Sequence, residues 1–147
     1  MAQQTIEATD TLNEGRVKAN ENFDEIYAEN AWTAVTPTLQ ANEITSASFR
    51  LRYNRIGRQV TCEITITGTG GSANTFVITN MPYAPVNSTW FTGLVQNNSV
   101  LAIGRALLTA GQTTLTIYPS ATGAANTWQT NSGGKGIFMT ITYEAES

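Results

Sequence analysis

Histidine is absent from the 147 residues, and with it go imidazole general bases, Ser-His-Asp and Cys-His triads, and the commonest zinc ligand. Aspartate occurs only at Asp10 and Asp24, both near the N-terminus, and beyond residue 30 the acids are Glu43, Glu63, Glu144 and Glu146. A glycosidase needs two carboxylates facing each other across a sugar bond. Glu43 with Glu63 is the one pair away from the C-terminal tail, and Glu63 sits in an ordinary solvent-facing slot of an alternating strand. No run of closely spaced acids forms a calcium loop. Gly68-Thr69-Gly70-Gly71 lacks the Lys-Ser/Thr ending of a phosphate loop, and Ser132-Gly133-Gly134-Lys135-Gly136 leads into a strand, so both read as turns. The expectation is a non-enzymatic protein with no catalytic residues, no metal site and no cofactor.

The single cysteine, Cys62, rules out an internal disulfide, and its place in an alternating strand marks it as a small buried apolar group. The first ten residues have neither a basic region nor an apolar core, and no stretch reaches the roughly 18 apolar residues of a membrane span. Synthesis in a cytoplasm, without secretion or membrane insertion, is the expectation. Charged residues are scarce at 13%, so Thr, Ser, Asn and Gln must cover the surface. Threonine is β-branched and suits the wet face of a sheet.

The charges that exist divide the chain. Residues 1–30 carry two cations against seven anions, a net −5, whereas residues 31–147 carry six cations against four anions, a net +2. Opposite signs place a boundary near residue 30, between an acidic N-terminal segment for anchoring or oligomerisation and a head domain over 31–147.

Residues 11 to about 30 read as helix. Thr11-Leu12-Asn13-Glu14 fits a capping box, in which hydroxyl and carboxylate satisfy amides at the helix start. Leu12, Ala19 and Ile26 recur every seven residues, and Phe23 lies four beyond Ala19. The seam is narrow, Gly15 weakens the helix, and Glu21, Glu25 and Glu29 stack like charges at spacing four. Such a helix needs a partner, either copies of itself or another protein.

From residue 31 the period changes to two. Phe49, Leu51 and Tyr53 alternate with Arg50, Arg52 and Asn54; Val60, Cys62, Ile64 and Ile66 alternate with Thr61, Glu63, Thr65 and Thr67. Further strands are expected at 76–79, 90–96, 100–108, 113–118 and 136–143, separated by Gly-, Asn-, Ser- and Pro-rich turns. Seven or eight strands without intervening helix indicate an antiparallel, jelly-roll-like β-sandwich. Residues 100–108 are apolar on both faces: Leu101, Ile103 and Leu107 on one, Val100, Ala102, Ala106 and Leu108 on the other. A sandwich strand has one core-facing side, so the second meets another subunit or is covered by loops of its own chain.

Arg50, Arg52, Arg55 and Arg58 form the one concentrated basic feature. Nucleic acid would call for more positive charge with aromatics interleaved, so a solvated sheet face is preferred and no nucleic-acid partner is expected. The patch could also receive an acidic helix from a neighbour.

Two stretches resemble a known family. Asp10-Thr11, Lys18 and Asn22-Phe23, followed by the acidic-apolar run to Ile26, are similar to the N-terminal segment of tailed-bacteriophage tail and head fibre proteins. Trp32 with Thr36-Pro37-Thr38, then Tyr53 to Val60, then Asn80-Met81-Pro82, resemble the opening of the small β domains that end many such fibres. The resemblance implies a virion component, usually a homotrimer, anchored to capsid, portal or tail proteins by its N-terminal segment. The helix seam with Val100 and Ala102 would then form the oligomer or anchor interface. No long shaft separates anchor from head, which keeps open a capsid decoration or cement protein beside a host-attachment fibre. A receptor-binding head needs exposed aromatics to stack on a cell-surface glycan, for which Trp128 with Asn126 and Asn131, and Tyr83 with Asn87, are the candidates. The same aromatics would serve equally as core or interface anchors. A carbohydrate-binding β module of cellular origin is the alternative of a different class.

Overall fold

The computed structural model describes residues 5, 11–29, 31–40, 43–121, 127–130 and 133–146, with residues 23–29 and 46 described in their backbone alone. One helix, α1 (Leu12–Glu29), precedes eight strands: β1 (Thr33–Val35), β2 (Ile44–Ile56), β3 (Gln59–Gly70), β4 (Phe76–Ile78), β5 (Thr89–Asn97), β6 (Val100–Leu108), β7 (Leu115–Tyr118) and β8 (Gly134–Glu144). The expected mainly β architecture behind a short helix is what the chain adopts.

The helix starts where the capping box places it. The Thr11 amide donates to Glu14 Oε2 at 2.8 Å and the Glu14 amide donates back to Thr11 Oγ1 at 3.3 Å, so two orphan donors are satisfied reciprocally. Leu12 is 96% exposed and Val17 43% exposed, so the described part of the helix has an uncovered apolar side.

The strands form one antiparallel sheet in the order β1-β2-β3-β8-β5-β6-β7-β4. Its first half is held by long ladders, with β3 and β8 paired from Gln59↔Glu144 to Thr69↔Gly134. The two halves join through only a short ladder, Leu94↔Phe138 to Gln96↔Gly136, and there the sheet folds over on itself. Gly93 and Gly104 lie opposite each other just past this junction, and neither has room for a Cβ: Met139 fills the space over Gly93, and Val95 with the Tyr118 carbonyl the space over Gly104. At the far side Leu39 bridges Ile78 and the Thr79 amide donates to the Thr38 carbonyl at 3.0 Å, closing the curl. The result is a flattened, sandwich-like layer pair.

Two hairpins are set by their turns. Ile56 pairs with Gln59 across Gly57-Arg58, and a positive φ (59°) at Gly57 alone follows the type II′ pattern. Asn97 pairs with Val100 across Asn98 (φ 53°) and Ser99 (φ 64°), both left-handed as type I′ requires.

The core lies between the layers. Val60, Cys62, Ile64 and Ile66 from β3, Ile137, Met139 and Ile141 from β8, and Ala106 and Leu108 from β6 fill it. On β2, Leu51 is buried while Phe49, in the same alternation, is 44% exposed. Among the described residues two side chains of the charged types are fully buried, Glu43 and Lys135. Lys135 Nζ donates to the carbonyls of Glu43 (3.1 Å) and Ala73 (3.2 Å). The Glu43 carboxylate accepts from the Val77 amide (2.5 Å) and the Gln40 amide (3.2 Å), so the two side chains tie the loops before β2 and β4 to strands β4 and β8 at one end of the sandwich.

Candidate interaction surface

The outer face of β5 and β6 is where apolar side chains meet water. Cross-strand register puts Trp90 opposite Leu107, Thr92 opposite Arg105, Leu94 opposite Ile103 and Gln96 opposite Leu101 on that face, with Phe138 of β8 beside Leu94. Trp90 is 52% exposed, Leu94 39%, Leu101 58% and Ile103 57%. Arg105 is the one charged residue in β5 and β6. Its guanidinium lies 4.8 Å from the Trp90 ring centroid and 5.3 Å from that of Tyr118, and its Nε is buried without a hydrogen-bond partner. Cation–π contact with two rings holds the cation flat against the sheet. Trp, Tyr and Arg are the residue types that dominate binding energy at protein interfaces.

The opposite side of the same hairpin is also open at its tip. Gly104, Ala106 and Leu108 point into the core, but Val100 (64% exposed) and Ala102 share their side and lie past the core's end. There Val100, Ala102, Pro119, Asn97, Asn98 and Gln129 line a shallow recess of about 240 Å³. Both faces of the first part of β6 are therefore exposed, including Val100 and Ala102 of the expected oligomer interface, with no cover among the described residues.

The arginine cluster is largely engaged within the molecule. Arg50 and Arg52 do share a face of β2, but Arg52 Nε bonds Glu63 Oε2 at 2.6 Å and stacks 4.6 Å from the Trp32 centroid. The Arg52 hydrogen bond holds the Glu63 carboxyl below its ordinary range. Arg55 Nε donates to the Gly57 carbonyl at 2.7 Å and lies 4.4 Å from the Tyr83 centroid. Arg58 pairs with Glu144 at 3.2 Å and donates to the Ala145 carbonyl. Arg50 is exposed. With three of four cations turned to neighbours, the cluster staples β2 and β3 to the C-terminal strand more than it offers a docking patch.

Of the candidate receptor-loop residues, Trp128 is corrected outright. It is 1% exposed, its Nε1–H donates to the Ile117 carbonyl at 2.8 Å, and its ring packs 5.2 Å from that of Phe76. Neither ring face can stack on a sugar. Tyr83 is half-buried, packed edge-on against Tyr53 at 5.5 Å beneath Arg55, while Asn87 is exposed. Asn126 and Asn131 lie outside the described residues, as do the side chains of Phe23 and Ile26.

Glu43 and Glu63 do not work as a pair: one is buried at the loop end, the other lies in the outer sheet face bonded to Arg52. Among the described residues no group of three His, Cys, Asp or Glu side chains could hold a metal ion, and no helix is long and apolar enough to cross a membrane. The exposed surface that sequence reasoning missed is Trp90 with Arg105 and Tyr118. Its signal was the parity of Trp90 and Leu94 in one strand, but their meeting with Arg105 depends on a register that only the fold supplies.

No family model matches the chain, and no curated protein or solved structure matches it either. What fold and surface define is a class: a small antiparallel β domain behind a capped helix, with exposed apolar side chains gathered on β5 and β6.

Proposed function

We propose that this chain is a non-catalytic structural subunit of a tailed-bacteriophage particle, a homotrimer attached to capsid, portal or tail proteins by its N-terminal helical segment and presenting the β head at the surface. The observation that carries the reading is the uncovered apolar hairpin of β5 and β6, which a protein working alone has no reason to keep. The fibre-like sequence stretches and the acidic α1, exposed at Leu12 and Val17, support it. A head for host-surface binding would use exposed rings, and Trp32, 42% exposed, replaces Trp128 as the one available to a glycan.

Decoration of the capsid is the second reading, favoured by one observation: β1 begins at Thr33, directly after the helix end at Glu29, leaving no length for a shaft. The test is purification of the particle from its host, peptide mass spectrometry for this chain, and cryo-electron microscopy to find its density. Density on the tail supports attachment, and density at local symmetry axes of the shell supports decoration. Absence of the chain from purified particles refutes both.

A further inference from the structure

We propose that the β5–β6 hairpin is a head-to-tail contact between copies of this chain, with the outer Leu101–Ile103 face of one copy seated in the Val100–Ala102 recess of the next. The inference rests on the reading of the chain as an assembling subunit and names the surface and the occupant.

Three features select a second copy over another partner. First, β5 and β6 contain one charge, Arg105, which is already packed under two rings, so an acidic or basic partner would desolvate its own charges without compensation. A partner of equally low charge meets no such cost, and this chain, at 13% charged residues, supplies one. Second, the outer face exposes Trp90, Leu94, Leu101 and Ile103 together, a contiguous apolar patch of the kind that is commonly functional. The recess on the reverse side supplies further area in the same assembly.

Third, the two uncovered faces belong to opposite sides of one strand and differ in shape. Leu101 and Ile103 are exposed on one side, whereas on the other Val100 and Ala102 line a shallow recess with Pro119. A two-fold arrangement buries the same patch on both copies, would leave one side of β6 wet, and would bring Arg105 toward its own symmetry mate. Two different apolar surfaces on opposite sides of one strand, one of them recessed, are what a heterologous contact uses, and such contacts close into rings when the rotation permits.

The test uses the full chain at physiological salt, with mass read by multi-angle light scattering and native mass spectrometry. Wild type is expected to be a closed oligomer of three or more copies. Ile103→Glu and Val100→Glu each place a charge on one side of the contact at an exposed position, so folding is preserved and far-ultraviolet circular dichroism should not change. Each alone should weaken self-association at least a hundredfold and appear as monomer. Mixed one to one, they should form a dimer and nothing larger, because the intact outer face of the Val100→Glu copy fits the intact recess of the Ile103→Glu copy. Gln112→Glu, in an exposed turn, should assemble as wild type.

A monomeric wild type overturns the proposal and gives the face to a different protein. A wild-type dimer, or a mixture that stays monomeric, overturns the head-to-tail geometry. None of these outcomes depends on the particle, so a chain that assembles but is absent from virions would refute the proposed function while leaving this contact standing.

Discussion

Stability of this protein should fall as pH rises from 5 to 8, the reverse of what ion-paired carboxylates produce, and one side chain is responsible. Glu43 is fully buried, and loss of solvation lifts its carboxyl from 4.5 to about 7, against the opposing pull of the Val77 and Gln40 amides and of Lys135. Between these two values the folded chain holds a proton that the unfolded chain has released. Stability from this group is therefore complete below pH 4.5 and is lost as pH rises through about 7. The shift corresponds to about 3 kcal/mol, of which about 2.5 kcal/mol falls between pH 5 and pH 8. Because the chain has no histidine, no other side chain has its ordinary titration in that window. Urea unfolding at four pH values across it should give a declining free energy for wild type. Glu43→Gln should give a nearly flat line: it loses the Gln40 bond, costing about 1 kcal/mol at every pH, but no longer ionises. Lys135→Met, which removes the cation that favours the anion, should move the wild-type decline to higher pH. A flat wild-type profile, or a slope that survives in Glu43→Gln, would refute the reasoning.

Three further outcomes follow from side chains already described. Trp128→Phe removes the donor to the Ile117 carbonyl and leaves a void beside Phe76, so denaturation should show a loss of about 3 kcal/mol with the fold retained. Cys62 is buried and its thiol is pushed up to about 12, so a thiol reagent at pH 8 should find no reactive group in the native protein and one per chain in denaturant. The Arg52–Glu63 pair is about one-third exposed on each side, so Arg52→Met should cost little stability in denaturation, and that cost should shrink at high salt.

Local chemistry made part of this structure legible. The capping box at Thr11 and Glu14 needs only residues three apart, and the period-two run of Val60, Cys62, Ile64 and Ile66 needs only one strand. What could not be read depends on residues far apart in the chain. Trp128 lies in a Gly-, Asn- and Thr-rich stretch that has the composition of an exposed loop, and its burial follows from a carbonyl contributed by β7. Lys135, between glycines, looked like part of a turn, whereas it is buried because the carbonyls of Glu43 and Ala73 converge on it from two loops. The doubly apolar character of β6 was visible from alternation alone. Which part of it stays wet was not, since that depends on how far the facing layer reaches over Gly104, Ala106 and Leu108.

The way the chain enters the head has a mechanical consequence. A force applied through α1 reaches the sandwich at Thr33, where β1 is held to β2 by the short ladder Thr33↔Tyr53 to Val35↔Leu51. Beyond it stand the Asn80 side-chain bonds to the Thr36 carbonyl and the Thr38 amide, and then the closing bridge at Leu39. These give way one after another, each small, before any load reaches the long β3–β8 ladder. A pull on the tether would thus spend itself on the seam and lengthen the leash by several residues, with the paired strands at the centre of the head still intact.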